Sequence, residues 1–426
     1  MNLIEQLAEL VGFHPSYMGT FGDKVIANDD ARCTLLKAMG FKLDNESLAQ
    51  TIMDLKQSQW LAMLPAVHII KLEEHQQTIK VSLPDNEYKL LKWNIITELG
   101  GEVSGSINLN DLQLIAQTEI DTRQYCQYHL CLPILEQGYH QLNISIGTLQ
   151  ANCPLIYTPK MCFSPQEASA NKLWGYTAQL YSLRSNSNWG MGDFTDLFDL
   201  VEKCSEQQVS TIGLNPLHPL YQQNPAHRSP YSPSSRCFLN PLYIDVTKIG
   251  NFKLCDLAQK KVQSESFQQN IRCAKASKLI DYPAVAKLKY EITELLFADF
   301  CQNKDDLYKA MTTEFESFKE TQGYDLYRFA TFDALNEYFN LAGEPVYGWP
   351  DWPASFQDPS SEDVIKFQLT HSNRIDYFCF LQWTAHKQLN AVTQCAKDKK
   401  MAIGLYLDLA VGCDGSGVDA WLDQEL

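Results

Sequence analysis

Over residues 1 to about 60 the apolar positions recur at helical spacing. Leu3, Leu7 and Leu10 share one face of the opening segment MNLIEQLAELVGF, with Glu5 and Glu9 between them. Asp29 or Asp30 can cap a second helix carrying Leu35, Leu36 and Met39, which Gly40 can stop. Asn45 can cap a third, with Leu48, Ile52 and Leu55 as its stripe. From Trp60 to about Pro159 the period changes from helical to alternating. Runs such as Thr78-Ile79-Lys80-Val81-Ser82-Leu83 and Gln127-Tyr128-His129-Leu130-Cys131-Leu132 lie between turn residues. This pattern predicts an N-terminal helical segment over 1–60 and an antiparallel, β-sandwich-like domain over 61–160.

After Lys172 the pattern alternates strand and helix. A short β-like run over Tyr176 to Leu183 leads into Ser185-Asn186-Ser187-Asn188-Trp189-Gly190. A helix then opens at Gly192-Asp193 and buries Phe194, Leu197, Val201 and Cys204. Ser210 to Leu217 reads as the next strand and runs into Asn215, Pro216 and His218. This is a βα unit whose polar loop lies beyond the strand's C-terminal end, where parallel α/β sheets and barrels keep their sites. Residues from about 250 to 370 read as a helical insertion, with Leu288, Ile292, Leu295 and Phe300 in phase and then Tyr324, Phe329, Phe332 and Phe339. Within it, Trp349-Pro350-Asp351-Trp352-Pro353 reads as a structural aromatic turn. A helix through Phe380, Trp383 and Leu389 leads to the apolar run Ala402 to Leu409, a buried parallel strand with Asp408 at its tip.

Chemistry enters at His227 to Asp245, HRSPYSPSSRCFLNPLYID. Pro230, Pro233 and Pro241 stiffen the path, so serine hydroxyls and the rings of Tyr231, Phe238 and Tyr243 are displayed on a semi-rigid platform. Flat C–H faces and many hydroxyls make a sugar a suitable occupant. The net charge of −16 disfavours nucleic-acid phosphates and anionic membranes, whereas an oligosaccharide is neutral. With 45% hydrophobic and 20% charged residues the composition is that of a globular protein. No apolar run approaches the ~18 residues of a membrane span. The opening helix lacks the basic start of a secretory signal. The 13 cysteines are scattered without a CxxC pair or a Cys/His cluster at metal spacing, which predicts reduced core thiols, the cytoplasm and no metal.

The segments WGYTAQLYSLRSNSNWGMGDFTDL, GLNPLHPLY, SPYSPSSRCFLNPLYID, FLQW and IGLYLDLAVG occur in this order. In them the chain resembles the amylomaltases, the 4-α-glucanotransferases of glycoside hydrolase family 77. Gly138-Tyr139-His140 and Leu142 resemble the N-terminal extension of the longer bacterial members. The resemblance implies a (β/α)8 TIM barrel that cleaves an α-1,4 bond and passes the freed glucan to another sugar's 4-hydroxyl. It implies maltooligosaccharides as partners and no cofactor. It places Tyr231 against a glucose ring, Ser229 in the same loop, and Asp408 where a carboxylate supports substrate hydroxyls.

A retaining mechanism needs two carboxyl groups ~5–5.5 Å apart, one as nucleophile and one as acid then base. In the family the nucleophile lies in an Arg-Ile-Asp-His-like segment after the fourth strand and the acid/base Glu after the fifth. Arg374-Ile375-Asp376 imitates the first but precedes FLQW and Asp408, so Asp376 reads as part of a helix start. With the insertion set aside, residues 161–426 suffice for about three βα units of the eight. The catalytic pair is therefore expected beyond Leu426, and the chain is expected to be inactive alone. The alternative is a non-catalytic glucan-binding remnant.

Overall fold

The structure, a computed structural model, describes residues 2–73, 77–85, 89–162, 164, 172–342 and 346–424. The chain forms two compact units, Met1–Phe163 and Ser164–Leu426.

The first unit begins with helices Leu3–Leu10, Asp29–Ala38 and Asn45–Leu61, which close around Leu7, Ala8, Leu36, Leu48 and Ile52. The caps fall one position earlier than the spacing predicts. Asn28 Oδ1 accepts from Ala31 N at 2.8 Å and Asp44 Oδ1 from Ser47 N at 2.9 Å. A capping side chain must stand outside the helix to reach back to the third N–H, so Asp29 and Asp30 instead fill the first turn, where the helix dipole favours them. A hairpin, β1 (Ser16–Met18) with β2 (Lys24–Ile26), interrupts the helices, and Gly22 turns it at φ +85°. Its strands are too short to register as alternation.

Eight strands follow: β3 (His68–Lys71), β4 (Thr78–Pro84), β5 (Leu90–Ile96), β6 (Glu102–Asn108), β7 (Gln113–Ile120), β8 (Arg123–Cys131), β9 (Gly138–Ile146) and β10 (Leu149–Thr158). They form a five-stranded sheet, β3-β10-β9-β5-β6, and a three-stranded sheet, β4-β8-β7. One core joins them: Ile79, Val81, Leu83 and Leu130 of the smaller sheet pack with Leu91, Leu142, Ile144 and Leu155 of the larger.

The second unit holds three parallel strands, β11 (Gly175–Ala178), β12 (Thr211–Leu214) and β13 (Gly404–Tyr406), with β12 in the centre. All three are shorter than their apolar runs. Beyond Ala178 the chain tightens into a 3-10 turn over Leu180–Ser182. Past Leu214, Asn215 turns its side chain to the Leu180 N–H at 2.9 Å and Pro216 has no N–H to donate. Strands β11 and β12 approach so closely that a Cβ on Gly175 would stand 2.2 Å from Thr211 O. Helix Phe194–Glu206 joins them, capped by Asp193 in a capping box with Asp196. It buries Phe194, Leu197, Val201 and Cys204, the face its spacing predicts.

Between β12 and β13 the chain is mainly helical. The long members are Tyr282–Gln302, Asp306–Ala342, which breaks at Gly323 (φ 62°, ψ −148°), and Ser372–Asp398. Phe297, Phe300, Phe315, Phe380 and Trp383 form an aromatic core among them. Trp352 packs on Phe332, Phe339 and Trp421, so the aromatic turn is structural. No described helix is long and apolar enough to cross a membrane.

Candidate functional site

The loop after β12 runs past the C-terminal ends of the parallel strands, and its second half is fixed from below. Gln382 and Gln388 stand six residues apart on helix Ser372–Asp398. Gln382 grips Leu239, accepting from its N–H at 3.0 Å and donating to its C=O at 2.8 Å. Gln388 grips Asp245 in the same way at 2.8 and 2.9 Å. Lys289, 2% exposed, donates to the carbonyls of Leu242 and Ile244 at 2.7 Å each and lies 3.6 Å from Asp193. Its ammonium thus satisfies carbonyls that a turn leaves unpaired, while Asp193 balances its charge. Burial pushes the Asp193 carboxyl up to about 6, Lys289 pulls against this, and Asp245 and Asp196 add to it.

The first half of the loop is stitched to the segment after β13 through one carboxylate. Asp414 accepts from Tyr221 Oη at 2.9 Å, Tyr347 Oη at 3.0 Å, Ser232 Oγ at 3.3 Å and Ser416 N at 2.9 Å. Burial raises its pKa, but the Ser416 N–H and the two phenols outweigh it and hold Asp414 below the usual carboxylate value. The rings of Tyr221, His227 and Tyr347 pack together at 4.8–6.0 Å, and His227 Nε2 meets Ser232 O at 2.8 Å. Asp414 N donates to Pro233 O at 2.8 Å, and Arg236 bonds Asp419 and Val411 O. Gly417 permits this contact, since a Cβ there would lie 2.5 Å from Ser234 O.

Against this fixed base the predicted residues stand apart. Ser229 is exposed, and its carbonyl accepts from Ser232 N in a tight turn. Tyr231 is 62% exposed at the top of the loop. Asp408 lies two residues past β13, half-buried, and acts electrostatically on His218. Burial drives His218 below the ordinary imidazole value, against the pull of the Phe238 backbone and the Asp419 and Asp408 carboxylates. Its Nε2 lies 3.4 Å from the Ala410 N–H. Asp376 is on helix Ser372–Asp398, ion-paired with Lys319 at 3.2 Å. Asp414, Tyr221, Tyr347 and the two glutamines were not singled out from the sequence. Two of them had a signal there, Gln382 as the polar residue inside the apolar FLQW run and Tyr221 as the last residue of GLNPLHPLY.

The sequence model described as 4-alpha-glucanotransferase, glycoside hydrolase family 77, matches residues 178–426. The chain belongs to this family. Residues 63–159 match the MalQ N-terminal beta sandwich domain. A 4-alpha-glucanotransferase of Haemophilus influenzae is 35% identical over 300 residues, covering 70% of this chain and 43% of the relative. One from Mycobacterium tuberculosis is 28% identical over 437 residues, covering 99% and 57%. The crystal structure of amylomaltase from Corynebacterium glutamicum matches with a TM-score of 0.76 at 25% identity, covering 98% of this chain and 56% of that one. The chain thus spans about half the length of these relatives.

Proposed function

We propose that this chain supplies part of the glucan-binding face of a cytoplasmic 4-α-glucanotransferase that rearranges maltodextrins. On this reading β11, β12 and β13 are the first strands of a (β/α)8 barrel, and residues 250–370 are an insertion between its second and third strands. The observation that carries it is the contrast within one loop. Its base is locked by Gln382, Gln388, Lys289 and Asp414, while Tyr231 is left free in solvent. A rigid support beneath an exposed ring suits a ligand with flat apolar faces, because little order is lost on binding. Ser229 and Asp408 would then meet sugar hydroxyls. Thirteen unpaired cysteines fit a reducing compartment.

The chemistry assigned to the family is retaining transfer by two carboxyl groups, with the acceptor's 4-hydroxyl replacing water in the second step. On this reading the chain does not supply that pair, and the two carboxylates nearest to such a role among the described residues are already engaged. Asp376 is committed to Lys319, and Asp414 is saturated by four donors. The chain should therefore bind glucan without transferring it. Purified chain incubated with maltotriose should release no glucose and form no longer maltodextrins, yet be retarded in an amylose-containing gel. Sustained disproportionation would identify a nucleophile among these residues and overturn the assignment. Absence of retardation would overturn the binding role.

A further inference from the structure

A cavity of about 440 Å³ lies in the second unit beside helix Phe194–Glu206, walled by Phe194, Phe198, Ile249, Met311 and Trp383. Neither Tyr231 nor Asp408 lines it, and its volume suits a small organic molecule. Its uncharged polar groups are used unequally. Thr195 Oγ1 donates to Asp245 Oδ2 at 2.6 Å, and Gln388 is spent on the Asp245 backbone. Thr384, 5% exposed, also lines the cavity, and its hydroxyl has no partner among the described residues. That oxygen is itself closed off from the cavity, so the surface offered to a ligand is apolar and aromatic.

The charges in the lining point to the kind of ligand. Lys387 is tied to Glu314 and lies 5.3 Å from the Trp383 ring centroid. Lys248 is exposed and forms no ion pair with a described residue, and Asp199 is the one acidic group of the lining. We propose that this cavity binds a small aromatic anion. Its rings lie among Phe194, Phe198, Met311 and Trp383, and its charge faces Lys248.

The probe 8-anilinonaphthalene-1-sulfonate carries both features, rings and an anionic group. N-phenyl-1-naphthylamine has the same rings and N–H without the charge. Titration of the chain with the sulfonate should show one saturable site. Ala391→Trp, at an exposed position of the lining, should weaken it about tenfold or more while far-UV circular dichroism stays unchanged. Lys248→Glu should weaken the sulfonate and leave the neutral probe unaffected. Sulfonate emission indifferent to Ala391→Trp in folded chain would mean general apolar surface and overturn the proposal. Should Ala391→Trp not fold, unchanged affinity in Phe198→Ala overturns it, and equal loss of both probes in Lys248→Glu removes the anion.

Discussion

Leu239–Asp245 and Ser229–Tyr231 lie in one connection between strands and are held in opposite ways. The first stretch has its peptide groups gripped by Gln382, Gln388 and Lys289, all from helices distant in sequence. The second carries Tyr231 with its ring 62% in solvent. On the proposed reading the exposed ring is surface kept for a ligand and the gripped stretch holds the platform. Substitutions in the two stretches should therefore separate stability from binding.

The largest effect is expected at the base. Lys289→Met removes the donor for two buried carbonyls and leaves Asp193 facing Asp245 and Asp196 without a cation. Chemical denaturation should register a loss of about 3–5 kcal/mol. A loss below the error of that measurement would mean that the loop is not held from beneath.

Asp414→Ala comes next, because it orphans the buried Tyr221 hydroxyl and the Ser416 N–H and leaves the Tyr347 hydroxyl with His227 alone. It should cost on the order of 1–3 kcal/mol. Because Ser232 is also released, retardation by amylose should weaken as well. Normal retardation with reduced stability would uncouple the Asp414 network from the display of Tyr231.

A smaller, pH-dependent effect belongs to Asp333, which accepts from Gln222 Nε2 at 3.2 Å. Burial pushes its carboxyl up to about 8, against the Gln222 hydrogen bond and with help from Glu337, while the ordinary value is 3.8. Between those values the folded chain holds a proton that the unfolded chain has released. The contribution to stability is therefore complete below pH ~4 and is lost as pH rises through ~8. Melting temperature should fall more between pH 5 and pH 8 in the parent than in Asp333→Asn, and parallel curves would refute the assignment.

What could be read from the sequence follows the range of the forces involved. The buried face Phe194, Leu197, Val201 and Cys204 was legible because one helix sets its own period. So was the sandwich, where β9 and β10 alternate between more and less buried positions along most of their nine and ten residues. The strands of the parallel sheet were located but overextended, since Asn215 leaves the ladder only because the Leu180 N–H stands opposite it. The caps shifted by one residue because Asn28 and Asp44 compete with adjacent residues of the same chemistry. Exposed Ser229 and Tyr231 and half-buried Asp408 came from matching motifs. The Asp414 hub could not be found that way, because its partners Tyr221, Ser232 and Tyr347 lie up to 193 positions away.

The division of labour within the loop is tested most directly at Tyr231. Calorimetric titration of maltoheptaose into the parent chain, Tyr231→Phe and Tyr231→Ala, with a melting curve for each, separates the ring from the hydroxyl and binding from folding. The account predicts near-parent affinity for Tyr231→Phe, a loss of about 1–3 kcal/mol of binding for Tyr231→Ala, and unchanged melting in both. Unchanged affinity in Tyr231→Ala, or a melting temperature that falls with it, would contradict the claim that this ring is held out for a sugar.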